Sequence, residues 1–305
     1  MRNSILLIIA ALIWGIAFVA QSEGGDAVGP FSFSCIRTFI GGIVLLPVIK
    51  IVDKMNPDNK RPVTKEDKKK LILGGVSCGT ILFLASSFQQ MGLYLGTPAG
   101  KAGFMTACYI ILVPVLGIFL KKHCGWNIWG GIILAVAGLY LLCMSGSICF
   151  QTSDWMELAC ALLFAVHILV IDHFSPLVDG VRMSCMQFFV CSILSFFSMA
   201  IFEMGHSVEE IQGWLANLAS LNAWLPILYA GVLSCGVAYT LQIIAQNGIN
   251  PTIASMLMSL ESVFSVIAGW IILDQSLSVR QLSGCALIFV AIILAQIPAK
   301  EKEVT

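Results

Sequence analysis

Long apolar runs, separated by short polar segments, recur along the whole chain. An α-helix needs about 20 mostly apolar residues to cross a bilayer. Runs of this length are 4–22, 30–52, 71–93, 98–120, 126–145, 153–173, 182–204, 223–246, 251–273 and 279–297. They are continuous rather than alternating, so they do not indicate the strands of an outer-membrane barrel. The pattern predicts an all-α polytopic membrane protein with ten transmembrane helices.

The composition supports a membrane protein. Hydrophobic residues make up 58% of the 305 residues and charged residues only 11%, whereas roughly a quarter of the residues of a soluble domain are charged. The net charge is zero, and no polybasic face indicates a nucleic-acid partner. The 11 cysteines stand singly in apolar runs, where cysteine behaves as a small hydrophobe. We therefore expect membrane lipids as partners, and neither a metal site nor a bound cofactor.

The first apolar run has a second interpretation. Arg2 followed by apolar residues also fits a cleavable signal peptide. However, Trp14 and Gly15 interrupt the run, and no clear Ala-x-Ala cleavage site follows it. We interpret this run as the first membrane span.

The basic residues predict an orientation. Lysine and arginine are enriched in cytoplasmic loops, and most of the 17 basic residues fall on one side if the N-terminus is inside. The largest group lies between the second and third spans, where interleaved acidic residues indicate a solvated loop. The opposite loops carry acidic residues such as Glu23 and Asp26. The sequence predicts a cell-membrane protein with both termini cytoplasmic.

The two halves of the chain resemble each other. Three pairs coincide at one constant offset: Gln89 with Gln242, Pro98 with Pro251, and Gly131 with Gly284. The pairs predict two five-helix repeats, at 1–148 and 149–298, followed by a cytoplasmic tail at 299–305. An odd number of spans in each repeat gives the two repeats opposite orientations. Such inverted repeats are typical of secondary transporters.

Charged residues inside predicted spans are candidate functional groups, because placing a charge in the bilayer is costly. Glu261 lies near the middle of the ninth span. It is either a functional group, as the partner of a substrate amine or a proton-linked carboxylate, or a structural group, as a counter-charge for Lys101 or Arg37 or a former of an orienting hydrogen bond. Arg37 and Lys101 lie near the outer boundary, where snorkelling to the interface is the default expectation. His167 is either a hydrogen-bonded packing residue or a proton relay.

Neutral polar and aromatic residues within the spans leave similar alternatives open. Gln89, Gln90 and Gln242 are costly to leave unpaired in lipid and are expected to face the interior. They suit either hydrogen bonds between helices or the lining of a pore. Three aromatic residues within the spans are expected either to pack between helices or to line a cavity, namely Trp14, Tyr109 and Tyr239.

Several stretches together resemble one family. In the first half they are Trp14-Gly15 with the following Phe18, Gly29-Pro30-Phe31, Arg37, Gln89-Gln90-Met91-Gly92-Leu93, Gly100-Lys101-Ala102-Gly103-Phe104-Met105-Thr106 and Val113-Pro114. In the second half they are Tyr239, Gln242, Pro251, Leu260-Glu261-Ser262-Val263-Phe264 and Gly284. In order and spacing the chain resembles the ten-helix members of the drug/metabolite transporter superfamily, which contain tandem EamA domains.

The resemblance implies metabolite transport, commonly efflux of amino acids or related compounds. It also implies a central cavity lined by spans one, three, four, six, eight and nine. Carried over by position, the cavity candidates are Trp14, Gln89, Lys101, Tyr109, His167, Tyr239, Gln242 and Glu261. One departure is Ser262 after Glu261, where the family often has proline, and this puts the bend of the ninth span in doubt.

These observations favour a secondary transporter, and more specifically an exporter, of small organic metabolites that works by alternating access. Protons are a candidate coupling ion. The chain has no G-x-x-x-x-G-K-[ST] phosphate loop, the motif that would indicate an ATPase. The chain has no H-E-x-x-H or G-x-S-x-G motif of an enzyme, so we expect no enzymatic activity. The alternative is a membrane-embedded sensor or assembly protein without transport activity.

Overall fold

The described part of the protein is helical throughout. A computed structural model describes residues 2–55, 61–97, 99–121, 125–144, 151–272 and 278–296, and these ranges contain no β-strand. Pro98 and the predicted tail at 299–305 lie outside them. In lipid every backbone polar group needs an internal partner, which explains why the long apolar runs form helices.

Within the ranges just given, the helices form ten successive segments, here called spans one to ten. They are Arg2–Val28, Pro30–Met55, Lys65–Tyr94, Ala99–Ala107 with Tyr109–Phe119, Trp126–Cys143, Thr152–Phe174, Gly180–Phe202, Leu221–Leu228 with Tyr229–Tyr239 and Thr240–Gln246, Pro251–Met258 with Leu260–Ile272, and Val279–Gln296. A further helix, here called the loop helix, covers Val208–Leu218 between spans seven and eight.

The lengths and composition of the spans are those of membrane helices. Within the described residues, 9 helices are long and apolar enough to cross a bilayer. Span one has a shorter apolar stretch, Arg2–Phe18, but its helix continues to Val28. The predicted all-α polytopic membrane fold is therefore confirmed.

Local sequence explains where several spans begin. Thr64 and Asp67 form a capping box before span three, in which each side chain bonds the other residue's backbone N–H. The Asp179 side chain accepts from the backbone of Arg182 at the start of span seven. Asn250 caps span nine directly before Pro251, a favoured first helical residue.

The spans pack in pairs that are related by the predicted repeat. Span five packs on span ten and span two on span seven, so corresponding spans of the two halves contact each other. Span one contacts spans eight and nine, whereas its counterpart, span six, contacts spans three and four. Each half therefore places its first span against the third and fourth spans of the other half.

Glycine allows the close contact between spans five and ten. A Cβ atom added at Gly284 would lie 2.6 Å from the Gly138 carbonyl oxygen and 2.8 Å from the Leu142 backbone nitrogen. Small residues let membrane helices approach backbone to backbone. This explains the need for glycine at position 284.

Three spans depart from regular α-helix near the centre of the protein. Span four is interrupted at Cys108 and span nine at Ser259, and span eight contains the π-helix Tyr229–Tyr239. Ser259 Oγ donates to the Met256 carbonyl at 2.8 Å, and such bonds from serine to the preceding turn bend helices. Span nine therefore departs from regular α-helix without the proline that the family often has after Glu261.

Polar contacts tie the ends of spans two and seven together. At one end, both oxygens of Glu203 accept from the backbone N–H groups of Phe31 and Ser32, each at 2.7 Å. At the other end, Arg182 Nη2 donates to Asp53 Oδ2 at 2.6 Å.

The loop helix, which was not predicted from the sequence, packs near the Glu203 end of spans two and seven. Its Trp214 Nε1 donates to Ser32 Oγ at 2.9 Å. The backbone N–H groups of His206 and Ser207 donate to Glu210 and hold the pKa of this carboxyl below its ordinary value. These bonds fix the start of the helix.

Candidate functional site

A cavity lies at the centre of the bundle, where the irregular spans four, eight and nine meet span one. Its volume, counted as the space that the centre of a water molecule can reach, is about 50 Å³. Its lining residues are Trp14, Phe18, Gln21, Arg37, Gln89, Thr106, Tyr109, Phe164, Ile168, Ser234, Tyr239, Gln242, Met258 and Glu261. The lining combines one acidic, one basic and several neutral polar side chains with aromatic surface.

Glu261 supplies the acidic group. It is 6% exposed, and its Oε1 accepts from the Tyr109 hydroxyl at 3.1 Å. Tyr109 directly follows the interruption of span four, Glu261 is the second residue after that of span nine, and both side chains line the cavity. No ion-pair partner of Glu261 occurs among the described residues. The predicted counter-charge role towards Lys101 or Arg37 is therefore not observed.

Arg37 supplies the basic group. Its guanidinium donates through Nη1 to Gln21 Oε1 at 2.8 Å and lies 5.2 Å from the centre of the Phe33 ring. The residue is 4% exposed, and its Nε has no hydrogen-bond partner. The expectation that Arg37 snorkels to the interface is wrong, because Gln21 of span one draws the side chain into the bundle.

Neutral groups complete the wall. Trp14 Nε1 and Gln242 Oε1 are buried and have no hydrogen-bond partner, so one donor and one acceptor remain available at the cavity. The Trp14 and Tyr239 rings meet edge to face with centroids 4.8 Å apart, an arrangement that aromatic pairs favour. Span one approaches closely here because Gly15 packs against the backbone of span nine.

A chain of hydrogen bonds leads away from the cavity into span six. Gln89 Nε2 donates to Thr106 Oγ at 3.2 Å, and Thr106 Oγ donates to Glu157 Oε2 at 3.1 Å. Gln89 and Thr106 line the cavity, whereas Glu157 lies behind them and is fully buried. The cavity is thus connected to a second carboxyl group.

Two predicted site residues do not line the cavity. Lys101 Nζ forms an ion pair with Asp154 Oδ2 at 2.5 Å, on the Glu157 side of the bundle. His167 lies behind the wall, where its Nε2 is 3.1 Å from Gln187 Oε1 and its ring is 6.2 Å from that of Tyr239. The other predicted residues, namely Trp14, Gln89, Tyr109, Tyr239, Gln242 and Glu261, meet at the cavity.

Sequence reasoning missed several polar groups of this region. Gln21 and Thr106 line the cavity, and Asp154 and Glu157 lie in span six. A sequence signal existed, since each is a polar residue within or beside an apolar run. Asp154 and Glu157 come soon after the first residue of their helix, where acidic residues are common because of the helix dipole.

The fold and the cavity define a class of protein. A polytopic helical bundle with interrupted spans around a buried polar cavity is typical of membrane transporters. The profile of the EamA-like transporter family matches the chain twice, at residues 1–144 and 152–296. The chain belongs to the EamA-like transporter family, as its motifs indicate.

Individual relatives agree with this assignment. An "uncharacterized transporter" of Archaeoglobus fulgidus is 29% identical over 95% of this chain and 84% of its own length. The "uncharacterized transporter YoaV" of Bacillus subtilis is 24% identical over 92% of each chain. A "WAT1-related protein" of Arabidopsis thaliana is 25% identical over 96% of this chain and 69% of its own length.

A solved structure shares the fold. A protein crystal structure superposes with a TM-score of 0.76 at 19% identity and covers 97% of this chain and 96% of its own. At this identity the likeness concerns the fold.

Proposed function

We propose that the protein is a secondary transporter that exports small zwitterionic metabolites, such as amino acids, across the cell membrane. The observation that carries this proposal is the presence of Arg37 and Glu261 in one buried cavity, each held by a neutral side chain. A zwitterion brings a carboxylate to the guanidinium and an ammonium group to the carboxylate.

The basic end of the cavity suits a carboxylate. Arg37 has no acidic partner among the described residues, and its Nε hydrogen is unused. A guanidinium binds a carboxylate through two parallel hydrogen bonds, which adds geometric selectivity to the charge attraction. The Trp14 N–H, in the wall of the same cavity, is a further available donor.

The acidic end of the cavity suits an ammonium group. The Tyr109 hydroxyl holds one oxygen of Glu261 and leaves the carboxylate able to accept more hydrogen bonds. Gln242 Oε1 is a second available acceptor. Aromatic rings in the cavity lining, among them Trp14, Phe18 and Tyr239, give an apolar substrate side chain surface to pack against.

Alternating access follows from two halves of opposite orientation. In this proposal residues 1–148 and 149–298 are the two repeats, both termini are cytoplasmic, and the halves move about the cavity. Interrupted helices let parts of spans four and nine move separately. The energy comes from solute or ion gradients, with protons as the candidate coupling ion. Export as the direction rests on the resemblance to the family.

The test is transport by the purified protein in proteoliposomes. The probes are labelled L-phenylalanine, L-phenylalaninamide, which lacks the carboxylate, and N-acetyl-L-phenylalanine, which lacks the ammonium group. We expect the zwitterion to be preferred over both analogues. Inside-out vesicles that accumulate L-phenylalanine would support export. A protein that moves none of a panel of zwitterions would contradict the proposal and favour a sensor or assembly role.

Variants assign each charged group to one end of the substrate. Arg37→Gln is expected to lower L-phenylalanine transport roughly tenfold or more, since loss of one buried charge partner costs at least about 2 kcal/mol, with less effect on L-phenylalaninamide. Glu261→Gln is expected to lower L-phenylalanine transport as well, with less effect on N-acetyl-L-phenylalanine, which has no ammonium group. Arg280→Gln is the matched control, because this exposed arginine lies over Tyr140 away from the cavity. Equal losses for all three probes would argue against this assignment.

A further inference from the structure

Glu157 is a buried carboxyl group that the proposed substrate contacts do not use. Its side chain is fully buried in span six, five residues after the helix begins, or about 8 Å along the axis. Oε2 accepts from Thr106, whereas Oε1 has no hydrogen-bond partner. A buried carboxylate with one neutral donor is costly in a membrane, so this position favours a function that involves a cation.

The surroundings of Glu157 fit a proton rather than a metal ion. The carboxyl group lies directly on the backbone of span three at Gly92, where a Cβ atom would clash with it. No group of three or more histidine, cysteine, aspartate or glutamate residues able to hold a metal occurs within the described ranges. A metal ion needs several oxygen ligands, whereas a proton needs only the carboxylate.

The charged neighbours of Glu157 form a small cluster. Asp154 lies one turn earlier on the same helix and is ion-paired with Lys101 of span four. With all three side chains ionised the cluster carries one excess negative charge. A single proton on Glu157 makes it neutral.

The remaining titratable groups around Glu157 do not supply a positive charge. Cys160 lies one turn later in span six. Tyr109, Tyr239 and Glu261 face the cavity from spans four, eight and nine. Span three, which packs against this part of span six, contributes Gln89 and Gly92.

We propose that Glu157 is the proton-binding group of this transporter, distinct from the residues that hold the substrate, and that Thr106 transmits its protonation state to the cavity. This inference rests on the proposed transport function. In an exporter of this kind Glu157 takes up a proton from the outer side while substrate leaves the cavity. It releases the proton to the inner side in the opposite conformation.

The hydrogen bonds explain the transmission. A threonine hydroxyl has one hydrogen to donate, and here Thr106 donates it to ionised Glu157 while accepting from Gln89. A protonated Glu157 becomes a donor to Thr106 and frees the threonine hydrogen. Because Thr106 lines the cavity, the freed hydrogen turns towards the substrate. Proton binding thus changes which hydrogen bonds the cavity offers.

The decisive variant is Glu157→Gln, which keeps the shape and removes the titrating group. Glu209→Gln on the exposed face of the loop helix is the matched control. Proteoliposomes with an acidic interior and entrapped pH dye are supplied with labelled L-phenylalanine. Exchange of labelled for unlabelled L-phenylalanine without a gradient shows whether each variant is folded. Infrared spectra of the purified protein across pH follow its protonated carboxyl groups without any substrate.

In Glu157→Gln we expect the pH-driven accumulation of L-phenylalanine to fall roughly tenfold or more, because the coupling between the proton site and the substrate site is removed. The change in the pH dye that accompanies uptake is expected to disappear with it. The exchange activity of this variant is expected to stay within about twofold of wild type. It is also expected to lose a titrating carboxyl band that Glu209→Gln keeps. Retained pH-driven accumulation in Glu157→Gln, or transport driven by sodium instead, would overturn the inference. If wild type moves no L-phenylalanine, the proposed function fails, and the infrared band alone decides whether Glu157 binds a proton.

Discussion

At the scale of single residues, the cavity keeps its opposite charges available. Arg37 and Glu261 each bond a neutral partner, Gln21 and Tyr109 respectively. A direct ion pair between the two would satisfy both groups and compete with a ligand. Neutral partners hold the side chains in place without cancelling their charge, which is what binding a zwitterion requires.

The hydroxyl of Tyr109 provides a test of this positioning. Tyr109→Phe removes the donor to Glu261 and keeps the ring in the wall. A hydrogen bond to a charged group contributes about 1.5–3 kcal/mol, so we expect the KM for L-phenylalanine to rise roughly tenfold. The control is Tyr94→Phe, whose side chain is 53% exposed at the end of span three. An unchanged KM in Tyr109→Phe would show that Glu261 is not positioned by this bond.

At this scale the sequence predicted which polar residues lie inside the bundle, but not which residues they contact. Polar or aromatic residues inside apolar runs, such as Gln89 and Glu261, were identified because lipid excludes them. The sequence did not predict the partners of Arg37 and Lys101, because Gln21 and Asp154 lie on other helices and only folding brings them near. The roles of all these residues in binding remain predictions.

At the scale of helices, irregularity is concentrated at the cavity. Spans four and nine are interrupted directly before Tyr109 and Leu260, and the π-helix of span eight carries Ser234 and Tyr239 into the wall. π-helical segments are rare and occur frequently at functional sites. We infer that these three spans are the parts of the bundle that change shape.

The π-helix gives this idea a measurable consequence. In hydrogen–deuterium exchange, L-phenylalanine is expected to slow deuterium uptake in peptides covering Tyr229–Tyr239, because a ligand on Ser234 and Tyr239 stabilises their helix. Peptides from span five, Trp126–Cys143, serve as the control, since this span contributes no residue to the cavity lining. Equal protection of both regions would show a general stabilisation rather than a local one.

Close packing between helices makes a second prediction at this scale. Gly284→Ala places a methyl group against backbone atoms of Gly138 and Leu142, which cannot move aside easily. Overpacking of this kind costs about 1–3 kcal/mol, so the midpoint of thermal unfolding in detergent should fall. Gly213→Ala on the loop helix is the control, because nothing lies within 4 Å of its added atom. A control that falls as far as Gly284→Ala would disprove the packing explanation.

The loop helix shows where prediction of elements from apolar runs stops. Its helix has no buried residue and is too short to cross a bilayer, so a search for 20-residue runs passes over it. Ser207 and Glu210 do carry the spacing of a capping box. That local signal, rather than hydropathy, predicts a helix there.

At the scale of the whole molecule, the packing follows the repeat. Spans one and six, which hold equivalent places in the two halves, each contact the third and fourth spans of the opposite half. The repeat was visible in the sequence because Gln89, Gly131 and their counterparts recur at one offset. The contacts between the halves were not, since they depend on how the two bundles interlock.

Opposed halves require an odd number of spans in each, and this leads to a prediction about topology. With five spans in each half, the two termini share one side and the loop helix lies on the other. In a bacterial host we expect a fluorescent protein fused to the C-terminus to fold in the cytoplasm, and alkaline phosphatase inserted at exposed Gly213 to be active outside it. The same reporters exchanged between the two positions are the control and should both be silent. Phosphatase activity at both positions would place the C-terminus on the same side as the loop helix, because an even number of crossings would then follow that helix. The second half could then not contain five spans, and the prediction of two equivalent halves in opposite orientations would fail.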